Sequence, residues 1–198
     1  MRAFVAIELP GEIKRQLLNA AGRLRHAHVR ASWVKAESMH VTLRFFGDIG
    51  QREADMLIAH VEPRFAEAQL VALSVRGIGA FPNVRKPSVV WAGVGPLEGA
   101  LESVHGIAEW GALAIGQKAE GRRFHPHITL ARLREGDGGR SREAVPTSRA
   151  SVDELAVLIE RERETEFGAF TATSVSLFSS ELTPQGPIHT RVKEFRLS

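Results

Sequence analysis

A four-residue pattern, imidazole, β-branched apolar, threonine, leucine, occurs twice in this chain. His40-Val41-Thr42-Leu43 stands in the first half and His127-Ile128-Thr129-Leu130 in the second. Successive side chains of a β-strand point to opposite faces. On that period His40 and Thr42 share one face, and Val41 and Leu43 share the other. The second copy divides in the same way. The apolar pair buries each strand, and the polar pair is left facing something that uses an imidazole and a hydroxyl. Two such strands facing each other gather two imidazoles and two hydroxyls around one small anion.

The rest of the chain is read around these strands. Residues 2–9 alternate about Phe4 and Ile7 and predict a strand. Pro10 opens a helix carrying Ile13, Leu17, Leu18, Ala21 and Leu24 at helical spacing. A short strand over 30–35 holds Trp33, and the first motif strand runs 40–47. A helix is expected over 51–68, kinked or shortened by Pro63. Strands follow at 70–78 and 88–94, and a helix at 96–114. The second motif strand is expected over 125–133. Residues 134–149 lack any period and predict an exposed loop. Ser151-Val152-Asp153-Glu154 has the form of a capping box. One strand over 170–182 and a last one over 188–197 complete the chain.

Helices therefore alternate with pairs of strands. This predicts an α+β class with antiparallel sheets and helices packed outside. The motifs lie too far apart for a solenoid repeat. Their spacing predicts two pseudo-symmetric lobes within one domain spanning 1–198, with a central cleft and one motif strand from each lobe.

Composition excludes several classes. Cysteine is absent, so neither a disulfide framework nor thiolate chemistry is available, as in a reducing, cytoplasmic setting. The first eight residues are too short and too quickly charged for a signal peptide. No apolar run is long enough to span a bilayer, so no membrane role is expected. The net charge of +3 is modest but uneven. Seven arginines lie between positions 121 and 149, where they outnumber Glu135, Asp137 and Glu143. Such a segment is either a solvated loop or an anion-attracting rim.

Two imidazoles and two threonines suit a phosphodiester. One neutral ring takes a proton from water, and one protonated ring gives a proton to the leaving oxygen. The hydroxyls donate charge-assisted hydrogen bonds to the non-bridging oxygens. No metal, cofactor or covalent intermediate is required. Two alternatives stand beside this reading. His125 and His127 have the spacing of a His-x-His metal pair, which would make a metal-dependent phosphoesterase if a further ligand were near. A non-catalytic RNA-binding module could also retain such a cleft. His26, His28, His60 and His105 fall in predicted helices or their ends and read as surface or structural residues. Along a regular strand Arg44 shares the phase of Thr42 and is the stronger candidate substrate contact. Arg132 falls on the face of Leu130, as a rim contact.

The chain resembles the two-histidine phosphoesterase superfamily, and within it the RNA 2′,3′-cyclic phosphodiesterases, also called 2′–5′ RNA ligases. The resemblance covers nearly the whole chain. It is carried by Arg2-Ala3-Phe4-Val5-Ala6-Ile7, by Trp33-Val34, and by the first motif extended through Arg44-Phe45-Phe46-Gly47. It continues through Phe81-Pro82-Asn83, Val90-Trp91-Ala92-Gly93-Val94, Pro126 with the second motif through Arg132, Leu177 to Leu182, and Gly186-Pro187. It implies a bilobal α+β fold and hydrolysis of a terminal 2′,3′-cyclic phosphate to a 2′-phosphomonoester without a metal, with ligation as the reverse reaction. It implies His40 as proton donor, His127 as proton acceptor, Thr42 and Thr129 on the phosphate, and an RNA end as partner of a monomeric protein. One position departs: where relatives usually carry tyrosine two places after Gly186-Pro187, this chain has His189. His189 is therefore a candidate substrate contact of altered character, and His125 is read as flanking.

Overall fold

A computed structural model describes residues 1–96, 99–133, 148–183 and 186–198. The described strands are β1 (Arg2–Glu8), β2 (Ala31–Trp33), β3 (His40–Asp48), β4 (Val71–Phe81), β5 (Val89–Gly95), β6 (His127–Leu133), β7 (Glu166–Ala172), β8 (Ser174–Thr183) and β9 (Gly186–Arg196). The helices are α1 (Gly11–Leu24), α2 (Gln51–Ala66), α3 (Ala100–Ala114) and α4 (Arg149–Arg161).

The strands form two antiparallel sheets, ordered β3-β1-β8-β9 and β2-β6-β5-β4-β7. Helices α2 and α3 pack on the first sheet, and α1 and α4 on the second. The expected α+β, two-lobed class is thus observed, with one motif strand in each sheet. The lobes are not successive halves of the chain, however. β2 leaves its sequence neighbours to pair with β6, and β8 returns to pair with β1, with β9 on its far side. One large core of buried side chains draws on both sheets and all four helices. Val41, Leu43, Ile128 and Leu130 lie in it, at 3% exposure or less. Burying each contributes about 1.5–3 kcal/mol and fixes which way its strand faces. Phe4, Ala6 and Phe178 make a smaller cluster on the other face of the four-stranded sheet.

Several local expectations are corrected. The stretch expected as one strand over 170–182 is two, broken at Thr173 and belonging to different sheets. A segment that changes sheets cannot keep one ladder. Helix α4 begins earlier than its sequence signature: Ser148 is the cap, and its hydroxyl accepts the Ser151 N–H at 3.0 Å. Pro63 does not stop α2, which ends three residues later at Ala66. Leu97 and the loop expected over 134–149, apart from its last two residues, lie outside the described residues.

Candidate active site

The motif strands β3 and β6 pack against each other where the two sheets meet. Their approach is held by the chain just before β3. Ala31 and Trp33 pair with Leu133 and Ala131, and the Val34 N–H donates to the Leu130 carbonyl at 2.9 Å.

Each motif strand carries a β-bulge just after its threonine, and the two bulges decide what faces the cleft. In β6, Trp91 pairs with Thr129 but Val90 pairs with Ala131, so Leu130 is absorbed. Val89 then pairs with Arg132. Paired residues of antiparallel strands share a face, so Arg132 lies on the face of Thr129 and Trp91, and it is exposed there. In β3, Ala6 pairs with Thr42 but Val5 pairs with Arg44, so Leu43 is absorbed. Val5 belongs to the main core face, and Arg44 follows it away from the cleft. Its guanidinium meets Glu109 of α3 at 3.2 Å, out of line for a hydrogen bond, and donates to Glu120 at 3.1 Å and to the Lys118 carbonyl at 2.8 Å. Phe45, paired with Phe4, turns onto the cleft face and is 55% exposed. The order expected from a regular strand is reversed: Arg132 is in the cleft and Arg44 is tied to carboxylates outside it. The doublet Phe45-Phe46 did signal that one aromatic ring must stay uncovered, and Phe45 is the residue that the sequence reading passed over.

The imidazoles are held alike. Nδ1 of His127 lies 2.7 Å from the His125 carbonyl oxygen, and the ring of His40 is hydrogen-bonded to the Ser38 backbone, also two residues upstream. A carbonyl can only accept, so Nδ1 of His127 carries the hydrogen, and in the neutral ring Nε2 keeps its lone pair. His40 stacks on Phe4 at 4.7 Å and stands edge-on to His189 at 5.3 Å. His127 stands edge-on to Phe81 at 5.2 Å, in a wall completed by Trp91 and His125. His125 is thus a packing partner, and its ring centre is 6.4 Å from that of His127. Among the described residues no three His, Asp, Glu or Cys side chains gather as metal ligands. Thr42 and Thr129 are half-buried on the face of their histidines, and neither hydroxyl has a partner among the described residues. His60 and His105 lie in α2 and α3, and His26 and His28 in and just after a short 3₁₀ turn, as expected of residues outside the cleft.

Burial pushes the His40 imidazole down to about 4, helped by the charges of His189, Lys14 and Arg132 and opposed by the Ser38 backbone. Burial also lowers His127, against the pull of the His125 carbonyl, with His125 and Arg132 adding to the lowering. Arg132 therefore acts on both motif imidazoles. The unfolded chain protonates His40 near 6.5, whereas the folded chain does so near 4. Between these values the unfolded state binds more protons, so stability falls as pH drops through that window, by about 3 kcal/mol from this residue alone. The thermal midpoint is expected to fall from pH 7 to pH 4.5, and to fall less steeply in His40→Gln. Parallel curves would show that His40 is not the source.

Comparison with known proteins agrees with this geometry. The model of the family described as LigT like phosphoesterase matches residues 7–91 and 94–189. An RNA 2′,3′-cyclic phosphodiesterase of Methanothermobacter thermautotrophicus is 32% identical over 197 residues, which cover 100% of this chain and 99% of the relative. Another, of Aeropyrum pernix, is 33% identical over 175 residues, covering 87% of this chain and 90% of its own. The crystal structure of TT0787 of Thermus thermophilus superposes with a TM-score of 0.76 at 27% identity, covering 100% of this chain and 98% of that one. Escherichia coli LigT in its apo form shares the fold, with a TM-score of 0.70 at 23% identity over 100% of this chain and 97% of that one. With its paired motifs on facing strands and a family match over nearly its whole length, the chain belongs to the LigT-like phosphoesterase family.

Proposed function

We propose that this protein hydrolyses the 2′,3′-cyclic phosphate at an RNA end to a 2′-phosphomonoester, by acid–base catalysis between His40 and His127. The observation that supports this most is the matched placement of the motif side chains. An imidazole, a free hydroxyl and a third residue stand on one face of each of two touching strands. His127, with Nε2 unprotonated, takes a proton from the attacking water. His40 gives one to the departing 3′-oxygen. The hydroxyls of Thr42 and Thr129 and the guanidinium of Arg132 hold the non-bridging oxygens, where negative charge grows. The open ring of Phe45 offers a stacking face for a base. Ligation is the reverse of the same step, with an RNA hydroxyl in place of water. Among the described residues no helix is long and apolar enough to cross a membrane.

The test is turnover of oligonucleotides ending in a 2′,3′-cyclic phosphate, with the product identified by mass and phosphatase sensitivity. Activity is expected to be unchanged by EDTA. Loss with EDTA and recovery with added metal would replace this reading with a metal-dependent one.

Thr42→Ala and Thr129→Ala are each expected to slow turnover by about 10- to 150-fold without unfolding the protein. A hydrogen bond to a charged group contributes ~1.5–3 kcal/mol. Less than a twofold loss at both positions would mean that the hydroxyls do not touch the phosphate.

The pH profile follows from the burial of both rings. His40 is lowered to about 4 and His127 is lowered as well, so kcat/KM, which reports the free protein, is expected to be bell-shaped with its maximum on the acid side of 6.5. A bound anion favours the protonated rings, so the bell in kcat is expected at higher pH. Coincident profiles would show that substrate does not reach the imidazoles.

A further inference from the structure

His189 lies outside both motifs yet touches one of them. It stands on β9, at the edge of the four-stranded sheet opposite to β3. The sheet curls enough for rings from its two edges to meet above β1. Phe4 is 4.7 Å from His40 and 5.0 Å from His189, and the two imidazoles are 5.3 Å apart at 87°. Nδ1 of His189 is buried without a hydrogen-bond partner. Packing on Phe4 and His40 therefore places this ring, with no polar contact at that nitrogen. Both imidazoles line one polar cavity of about 210 Å³, together with Glu8, Lys14, Glu37 and Arg191.

We propose that His40 and His189 form a coupled pair that carries one proton between them, and that an anion bound in the cleft draws this proton onto His40. His189 is then a positioning residue that supplies and regulates the acid, while His40 alone meets the substrate. The inference rests on His40 being the acid of the cyclic phosphodiesterase reaction.

Two positive rings at this separation in a half-buried site repel each other strongly, so the first proton excludes the second. The surroundings decide which ring takes it. From α1, Lys14 disfavours charge on His40, and so does Arg132 from β6. On β9, Arg191 is neutralised by Glu8 of β1 at 3.1 Å and by Glu194 at 3.4 Å. Glu37, in the 3₁₀ turn before β3, is the remaining carboxylate at the cavity. Burial lowers both imidazoles, and the charge of His189 lowers His40 further, so we assign the shared proton to His189 in the free protein. A phosphodiester anion beside His40 reverses the balance. One N–H bond on His189 breaks and one on His40 forms, with no proton taken from the medium. The acid is thus charged when substrate is present and neutral when the cleft is empty.

The experiment is a side-chain NMR titration of the whole protein, wild type against His189→Phe, which keeps an aromatic ring on Phe4 but cannot bind a proton. His189→Gln is carried alongside in case the larger ring disturbs β9. In the wild type, His40 and His189 are expected to titrate in two linked steps. Adding sulfate, which does not titrate in this range, at pH 6 moves the charged signal from His189 to His40. In His189→Phe, His40 is expected to titrate in a single step displaced upward by about one pH unit, a tenfold rise in proton affinity, while His127 is unmoved. Sulfate binding to this variant then draws a proton from the buffer. Superimposable His40 curves in wild type and both variants, or a His189 that keeps its charge when sulfate is bound, would overturn the proposal. A wild type that titrates as described but does not turn over cyclic-phosphate ends would sink the enzymatic reading and leave the coupled pair standing.

Discussion

His127→Ala and His40→Ala are each expected to lower kcat by about 10²- to 10⁴-fold on an RNA 2′,3′-cyclic phosphate, the range that a positioned general acid or base contributes. The two losses separate on a substrate whose 3′-bridging oxygen is replaced by sulfur. A thiolate leaves without needing a proton, so His40→Ala should regain much of its rate on this substrate. His127→Ala should not, because water still needs a base. Both rings are anchored to the backbone two residues upstream, His127 through Nδ1 to the His125 carbonyl at 2.7 Å, so the rescue pattern and not the anchoring divides the roles. The opposite pattern of rescue would exchange the roles and keep the two-histidine site.

Arg132→Ala is expected to cost about 10²- to 10³-fold in kcat, as loss of a donor to the transition-state oxyanion does, with little change in thermal stability. The salt dependence of oligonucleotide binding should weaken by about one phosphate contact. Arg44→Ala should show the reverse. Its side chain is 10% exposed beside Glu109, itself 17% exposed. Removing the cation leaves that half-buried carboxylate with only the Glu120 N–H at 3.0 Å and the His105 ring at 4.0 Å among the described residues, for about 1–3 kcal/mol of stability. Turnover at a temperature well below the midpoint should fall far less than in Arg132→Ala. An Arg44→Ala protein of full stability whose activity fell as far as that of Arg132→Ala would return Arg44 to the phosphate and contradict the bulge in β3.

The paired motif was legible from residues alone because its logic is local. His, β-branched residue, Thr, Leu on a period of two sorts a strand into a buried face and a polar face. The buried halves, Val41 with Leu43 and Ile128 with Leu130, are where that period places them. Alternation of helices with strand pairs was likewise sufficient for the α+β class. The phase beyond each threonine was decided only by tertiary structure. A bulge sets two residues against one on the partner strand, so its position depends on the neighbour's register, and nothing in Leu43-Arg44 or Leu130-Ala131 announces it. The inserted residue in β3 sent Arg44 to the helices and brought Phe45 into the cleft, the one in β6 brought Arg132 there, and together they reversed the ranking of the two arginines. The meeting of His40 with His189, 149 positions apart in sequence, was equally invisible. It depends on β8 returning to β1 with β9 on its far side, and on the curl that carries one sheet edge over to the other.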